Sequence, residues 1–348
     1  MIQKPEKSAH AHSAANLAPA AGPRPPVRPW RWGAAAGVGG LFATAAAVFN
    51  RASTRRAEAE TPPAGAFVEV DGVRLHYVER GEGPVVVLLH GNGVMLQDFE
   101  VSGVLDLAAA RHRVLAFDRP GFGHSDRPRS TVWTPSAQAA LLARALQQLG
   151  VERAVFVGHS WGTMVALAMA LDHPDLIGGL VLISGYYYGT ARPDVVPAST
   201  PAIPLLGDLL AATVSPLLAR ITGPLGIKAS FAPAPIPDKF SAFPVAMTLR
   251  PSQIRATAAD TAMMVPAAVM LSRRYAELSV PVVIMAGDGD LIVHKARHAD
   301  RLAQEVAAAD LRVIPGQGHL LHYAVPEQVV TAIHDVLSRN HRQRATAA

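Results

Sequence analysis

Gly158-His159-Ser160-Trp161-Gly162 lies between two segments of different periodicity, and that placement decides the fold. Before it, Ala154-Val155-Phe156-Val157 is an apolar, β-branched run that reads as a buried strand. After it, Thr163-Met164-Val165-Ala166-Leu167-Ala168-Met169-Ala170 reads as an apolar helix. A strand that turns at once into a helix holds its middle residue in a strained, exposed conformation. Glycines flank that residue because a Cβ at either position would strike the neighbouring backbone. A serine at the bend projects its hydroxyl clear of the sheet, beside the positive end of the following helix. Ser160 is therefore placed as a nucleophile. The pentapeptide alone is a weak signal in a glycine-rich chain; between strand and helix it is a specific one.

Short apolar runs alternate with amphipathic stretches on either side of this bend. Strands are expected over 85–89, 113–117, 154–158, 179–184, 281–286 and 310–314, and helices over 97–109, 135–149, 161–172, 296–308 and 326–338. Near Phe67, where the folded body is expected to begin, Asp71-Gly72 joins two alternating segments as a tight hairpin. The pattern predicts an α/β protein with a largely parallel sheet covered on both faces. One gap breaks it. Residues 189–279 hold no strand pattern, many prolines and apolar helical stretches, too long for a loop, and read as a helical insertion.

In parallel α/β sheets, ligands bind at the carboxyl ends of the strands, and chemically competent residues fall at those ends. A serine hydroxyl needs a base within hydrogen-bond reach. His319, directly after Gly318 and the strand at 310–314, is better placed for this than His322 or His294. The base needs a carboxylate to fix its tautomer. Asp290 follows the strand at 281–286, and its spacing from Gly287 favours it over Asp288. Two backbone N–H groups, of Trp161 and of Asn92 in His90-Gly91-Asn92-Gly93, are placed to receive a developing oxyanion. Gly91, Tyr186 and Tyr187 are candidate pocket residues. Asp118 is read as a structural acceptor that holds the following Pro-Gly turn, and His90 and His124 as loop braces.

These pieces together resemble the α/β-hydrolase fold over residues 66–338. They are His90-Gly91, Asp118-Arg119-Pro120-Gly121-Phe122-Gly123-His124-Ser125, the elbow at Ser160, Gly287-x-x-Asp290 and Gly318-His319. The resemblance implies an eight-stranded, mostly parallel sheet flanked by helices, with a helical cap inserted after the sixth strand. The core would be 66–188 and 280–338, the cap 189–279 and the basic tail 339–348. Asn92 and Trp161 are similar to the halide-gripping pair of haloalkane dehalogenases. Those enzymes and the epoxide hydrolases carry an Asp nucleophile, however, where this chain has Ser160. The reading that follows is a serine hydrolase cleaving an apolar ester or related acyl compound through an acyl-enzyme, with Ser160, His319 and Asp290 as its triad. The alternatives are a haloperoxidase-like perhydrolase, a C–C bond hydrolase and, at greater distance, an epoxide hydrolase or dehalogenase, or a non-catalytic binding module. No organic cofactor is implied and no metal-ligand spacing is seen.

Composition sets the remaining bounds. The 348 residues include no cysteine, which excludes disulfides and thiolate chemistry. The net charge of +5 resides in residues 1–60; the rest is balanced, so no nucleic-acid-binding face is expected on the body. Residues 1–60 read as a disordered leader with a membrane anchor near 33–49, an uncharged run flanked by Trp30, Trp32, Arg31 and Arg51. A cleaved signal peptide and a flexible, non-inserting leader of a cytoplasmic protein are the alternatives. The greasy composition of 189–279 points to an apolar small-molecule substrate.

Overall fold

The computed structural model describes residues 30–307 and 309–347, so the expected disorder of residues 1–29 lies outside the described residues. The chain divides into two compact units, Met1–Phe42 and Ala43–Ala348. The described part of the first is the start of helix α1 (Trp30–Glu60).

The second unit carries an eight-stranded sheet. Its strands are β1 (Ala66–Val70), β2 (Val73–Arg80), β3 (Val85–Leu89), β4 (Arg113–Phe117), β5 (Ala154–His159), β6 (Ile177–Ile183), β7 (Val282–Gly287) and β8 (Ala309–Ile314). Their order across the sheet is β1-β2-β4-β3-β5-β6-β7-β8. Strand β2 pairs antiparallel with β1 and β4, and all other pairings are parallel. The β1–β2 turn has both Asp71 and Gly72 at positive φ, as a two-residue hairpin of Asp-Gly type requires.

The central strands read as continuous apolar runs because both faces are covered. Alternate residues serve different cores. Val87, Leu89 and Phe156 pack with helices α4 (Pro135–Gln148) and α5 (Trp161–Asp172). Val86, Leu88, Val155 and Val157 pack on the opposite face with α3 (Val104–Ala109) and α12 (Pro326–Ala347). Helix α4 starts where its sequence directs: Thr134 caps it by accepting from the Ala137 N–H at 3.1 Å, and Pro135 follows. The helix expected over 97–109 is broken at Gly103, which takes φ 89° between α2 (Gln97–Ser102) and α3.

Between β6 and β7 the regular structure is all helical, with α6 (Val195–Ala198), α7 (Leu206–Ala212), α8 (Val214–Phe231), α9 (Val245–Thr248) and α10 (Pro251–Ser272). The shorter helix α11 (Ala299–Glu305) precedes β8.

Two boundaries differ from expectation. The unit that holds the sheet begins at Ala43, not near Phe67. The last turns of α1 are tied to it: Asn50 donates to the Ala212 and Thr213 carbonyls at 3.0 and 2.7 Å, Ala57 is buried, and Glu58 pairs with Arg250 at 2.9 Å. The C-terminal segment from 339 is no free tail, since α12 continues through it. There Arg339 pairs with Asp310 and Asn340 accepts from Arg153.

Candidate active site

The β5–α5 bend is as tight as its glycines imply. Ser160 has φ 51° and ψ −117°, a conformation non-glycine residues rarely adopt and one that stores strain. A Cβ on Gly162 would come within 2.1 Å of the Leu89 carbonyl oxygen, so the first turn of α5 lies almost against β3. Ser160 is anchored by its N–H, which donates to the Ile183 carbonyl at 2.8 Å, leaving the hydroxyl free to point outward.

His319, from the loop after β8, places Nε2 2.8 Å from Ser160 Oγ. Its Nδ1 lies 2.8 Å from Asp290 Oδ2, in the loop after β7. The other oxygen of Asp290 accepts from the Ile292 and Val293 N–H groups at 2.8 and 2.9 Å. Burial alone would raise this carboxyl. The facing imidazole and the two N–H donors prevail and hold it below the usual carboxylate range. Three residues 159 and 29 positions apart in the chain thus meet in one hydrogen-bonded row. Asp288 is elsewhere: it accepts from the Gly316 N–H at 2.7 Å and braces an exposed turn.

Trp161 is the first residue of α5, so its N–H belongs to a helix start with no intrahelical partner. Asn92 lies in the turn after β3, where its side chain donates to the Thr257 carbonyl and to Thr261 Oγ1 on α10, at 3.1 and 2.9 Å. Gly91 lies against the nucleophile: a Cβ there would come within 3.1 Å of the Ser160 Cβ. Tyr186 and Tyr187 are placed differently from expectation. Both are buried in the core beside His298, whose Nδ1 accepts the Tyr187 N–H at 3.1 Å, so the structure gives them a packing position.

The surrounding polar groups hold this row in place. Asp118 is fully buried, and its carboxylate accepts from His76 at 2.7 Å and from the Leu96 and His124 N–H groups at 2.9 and 3.0 Å. Burial opposes its charge, yet these donors keep its carboxyl below the usual range. His90 donates through Nδ1 to the Gly91 carbonyl and accepts the Arg119 N–H at Nε2. Burial, helped by the Arg119 charge, pushes its pKa down to about 3, so it is a neutral brace. Beneath His319, His159 Nε2 lies 3.2 Å from the His319 carbonyl oxygen, and the buried Asp98 pairs with His322 at 3.0 Å.

Sequence reasoning missed one connection. Arg119 bonds Asp260 of α10 at 2.6 Å, with side chains only 2% and 0% exposed. It also donates to the His90 and Gly91 carbonyls and lies over the Trp161 ring at 4.7 Å, while Trp161 Nε1 donates to the Asp260 carbonyl. The available signal was a single carboxylate in the mostly apolar stretch that became α10.

The fold and these loops define an α/β hydrolase, and the chain belongs to that family: residues 84–324 match the model of the α/β-hydrolase fold. It is a hydrolase. An uncharacterised protein of Mycobacterium bovis is 28% identical over 285 residues, covering 78% of this chain and 80% of that one. A 2-hydroxy-6-oxononadienedioate/2-hydroxy-6-oxononatrienedioate hydrolase of Paraburkholderia phymatum is 39% identical over 141 residues. That match covers 39% of this chain and 48% of the relative. Among solved structures, a thermophilic esterase from Thermogutta terrifontis superposes with a TM-score of 0.65 at 23% identity, over 80% of this chain and 100% of the esterase.

Proposed function

We propose that the protein is a serine hydrolase that cleaves an apolar carboxylic ester or related acyl compound. The single observation that carries this is the Ser160–His319–Asp290 row, with both links at 2.8 Å. Ser160 Oγ attacks the substrate carbonyl as His319 Nε2 takes its proton. Asp290 holds the imidazole in the required tautomer and stabilises its charged form. The oxyanion rests on the Asn92 and Trp161 N–H groups, beside the amino end of α5. His319 then protonates the leaving alcohol, which departs from the acyl-enzyme. The imidazole next activates water, and the acid is released. The helical insertion serves as the cap: through Asn92, Arg119 and Trp161, helix α10 is bonded to the groups around the nucleophile.

A fluorophosphonate probe tests the reading. Wild type labels at Ser160 and Ser160→Ala does not, and p-nitrophenyl esters of graded chain length turn over with a preference for longer acyl groups. Folded wild type that neither labels nor hydrolyses any ester would overturn it. Cleavage of a C–C bond is the second reading, favoured by the partial match to the Paraburkholderia phymatum enzyme; turnover of vinylogous diketones in place of esters would select it.

We read residues 33–49 of α1 as a membrane anchor. The apolar helix α10 meets the length of a span too, but it carries Asp260, buried in ion pairs with Arg119 and Arg127, and is a packed element of the insertion. Removing residues 1–42 is expected to shift the enzyme from membrane to soluble fractions with ester turnover retained. An unchanged distribution would count against the anchor.

A further inference from the structure

More than half of the large apolar side chains exposed among the described residues sit in segment 196–225 of the insertion and at positions 48 and 49 of α1. On α8 they form one stripe. Val214, Leu218, Ile221 and Leu225 follow each other at helical spacing and are 43%, 56%, 75% and 71% exposed. Of that helix's 18 residues only Pro216 and Phe231 are buried. The preceding bend adds Leu205, 85% exposed and held at φ 65°, a backbone strained for leucine. There the helical segments Val195–Ala202 and Leu206–Ala212 meet at 92°.

Helix α1 extends this surface. Asn50 is bonded to the carbonyls at the α7–α8 junction, and Arg220 of α8 lies over the Phe49 ring at 5.1 Å, so the exposed Phe49 lies beside α8. The charges are one-sided. Helix α8 carries Arg220 and Lys228 and no acidic residue, and the nearby Asp208 is committed to Arg129 at 2.6 Å.

We propose that this α1–α8 face lies on an anionic lipid bilayer, with the apolar stripe among the acyl chains and Arg220 and Lys228 level with the phosphates. A helix with an apolar face and cations beside it binds a membrane interface in this way. A second copy of the chain fits less well. Two such faces brought together set Arg220 and Lys228 against their own kind with no carboxylate between them. The face continues from the end of the anchor at Phe49 onto α8 of the insertion, and, resting on the ester hydrolase reading, it sets the orientation of the cap toward the lipid that would supply an apolar ester.

The absence of cysteine makes the test clean. Single Ile221→Cys and Leu225→Cys variants of the full chain are labelled with a bimane fluorophore. They are reconstituted in vesicles of phosphatidylcholine with a minor share of phosphatidylglycerol, with and without brominated acyl chains. Phe42→Cys reports the anchor, and Glu152→Cys, at the amino end of β5, reports the far side of the sheet. Quenching of the 221 and 225 labels by several-fold in brominated vesicles, with the 152 label unaffected, is the expected result. Quenching at 42 without quenching at 221 and 225 overturns the docking face and leaves the anchor standing. A blue shift at 221 and 225 that brominated lipid does not quench identifies a protein partner and overturns it equally. As a second readout, Leu218→Ser/Ile221→Ser/Leu225→Ser is expected to lower turnover of an ester embedded in vesicles by about ten-fold while leaving a soluble short-chain ester unaffected. Equal turnover on both substrates argues against the face.

Discussion

Strand β5 and helix α8 are both rich in apolar residues, yet every residue of β5 is buried whereas α8 buries only Pro216 and Phe231. Composition thus says that a segment tends to leave water and not what receives it. In the sheet the receiver is the protein itself. Val155 and Val157 face α3 and α12, Phe156 faces α4 and α5, and the packed strands hold the Ser160 bend in its strained geometry. On α8 the receiver, by the docking proposal above, lies outside the chain, while the rest of the insertion packs Phe240, Phe243 and Met247 into the body. By the proposed function, the sheet positions the chemistry and the insertion meets the substrate.

The comparison breaks most severely if the sheet does not hold the chemistry. Ser160→Ala and His319→Ala are each expected to lower ester turnover by about 10⁴- to 10⁶-fold with the melting temperature nearly unchanged. Asp290→Asn is expected to lose about 10⁴-fold, while Asp288→Asn keeps most of its rate. The reverse ranking of the two aspartates would move the acid to 288. A smaller effect tests whether the insertion is loose throughout. Asp260→Ala strands the buried Arg119 charge and is expected to cost about 3–5 kcal/mol, read as a fall in melting temperature.

Acid titration sharpens the division further. His90 and His298 are buried with pKa values pushed down to about 3 and about 4, in both cases chiefly by burial. The unfolded chain takes up protons near pH 6.5 that these folded imidazoles refuse. Their contribution is therefore complete above about pH 6.5 and is lost as the pH falls toward 3–4, roughly 2 kcal/mol for His90 between pH 7.5 and pH 5. Asp290 and Asp118, held low, keep their contributions until the pH drops below the ordinary carboxylate range. Denaturant unfolding at pH 7.5 and pH 5 checks this; equal stabilities would refute it. The smallest effect belongs to α8. Leu218→Ser, Ile221→Ser and Leu225→Ser should each change stability by no more than about 0.5 kcal/mol in detergent-free unfolding of the chain without residues 1–42.

The sheet was legible because the central parallel strands are apolar runs bounded by turn residues, and the pentapeptide Gly158–Gly162 between a strand pattern and a helix pattern was enough to locate the bend at Ser160. Asp290 and His319 were legible for a related reason, as short polar loops just past apolar strands have few other places to lie. The docking of α1 was not legible, because it is made by Asn50 and Glu58, polar residues in a helix without a continuous apolar stripe. The tyrosines misled because a run of three after a strand reads equally as lining or as filling. Their burial is decided by His298, 111 residues beyond Tyr187. The Arg119–Asp260 pair joins segments 141 residues apart and leaves no local pattern at either end except one carboxylate in a mostly apolar helix.

That pair has a mechanical consequence. Arg119 grips the carbonyls of the turn that carries Asn92, Asp260 receives that grip on α10, and Asn92 itself is fastened to Thr257 and Thr261. By the proposed mechanism, the roof over the nucleophile and the amide that receives the oxyanion are one riveted piece, so α10 cannot lift without pulling on the turn that carries Asn92.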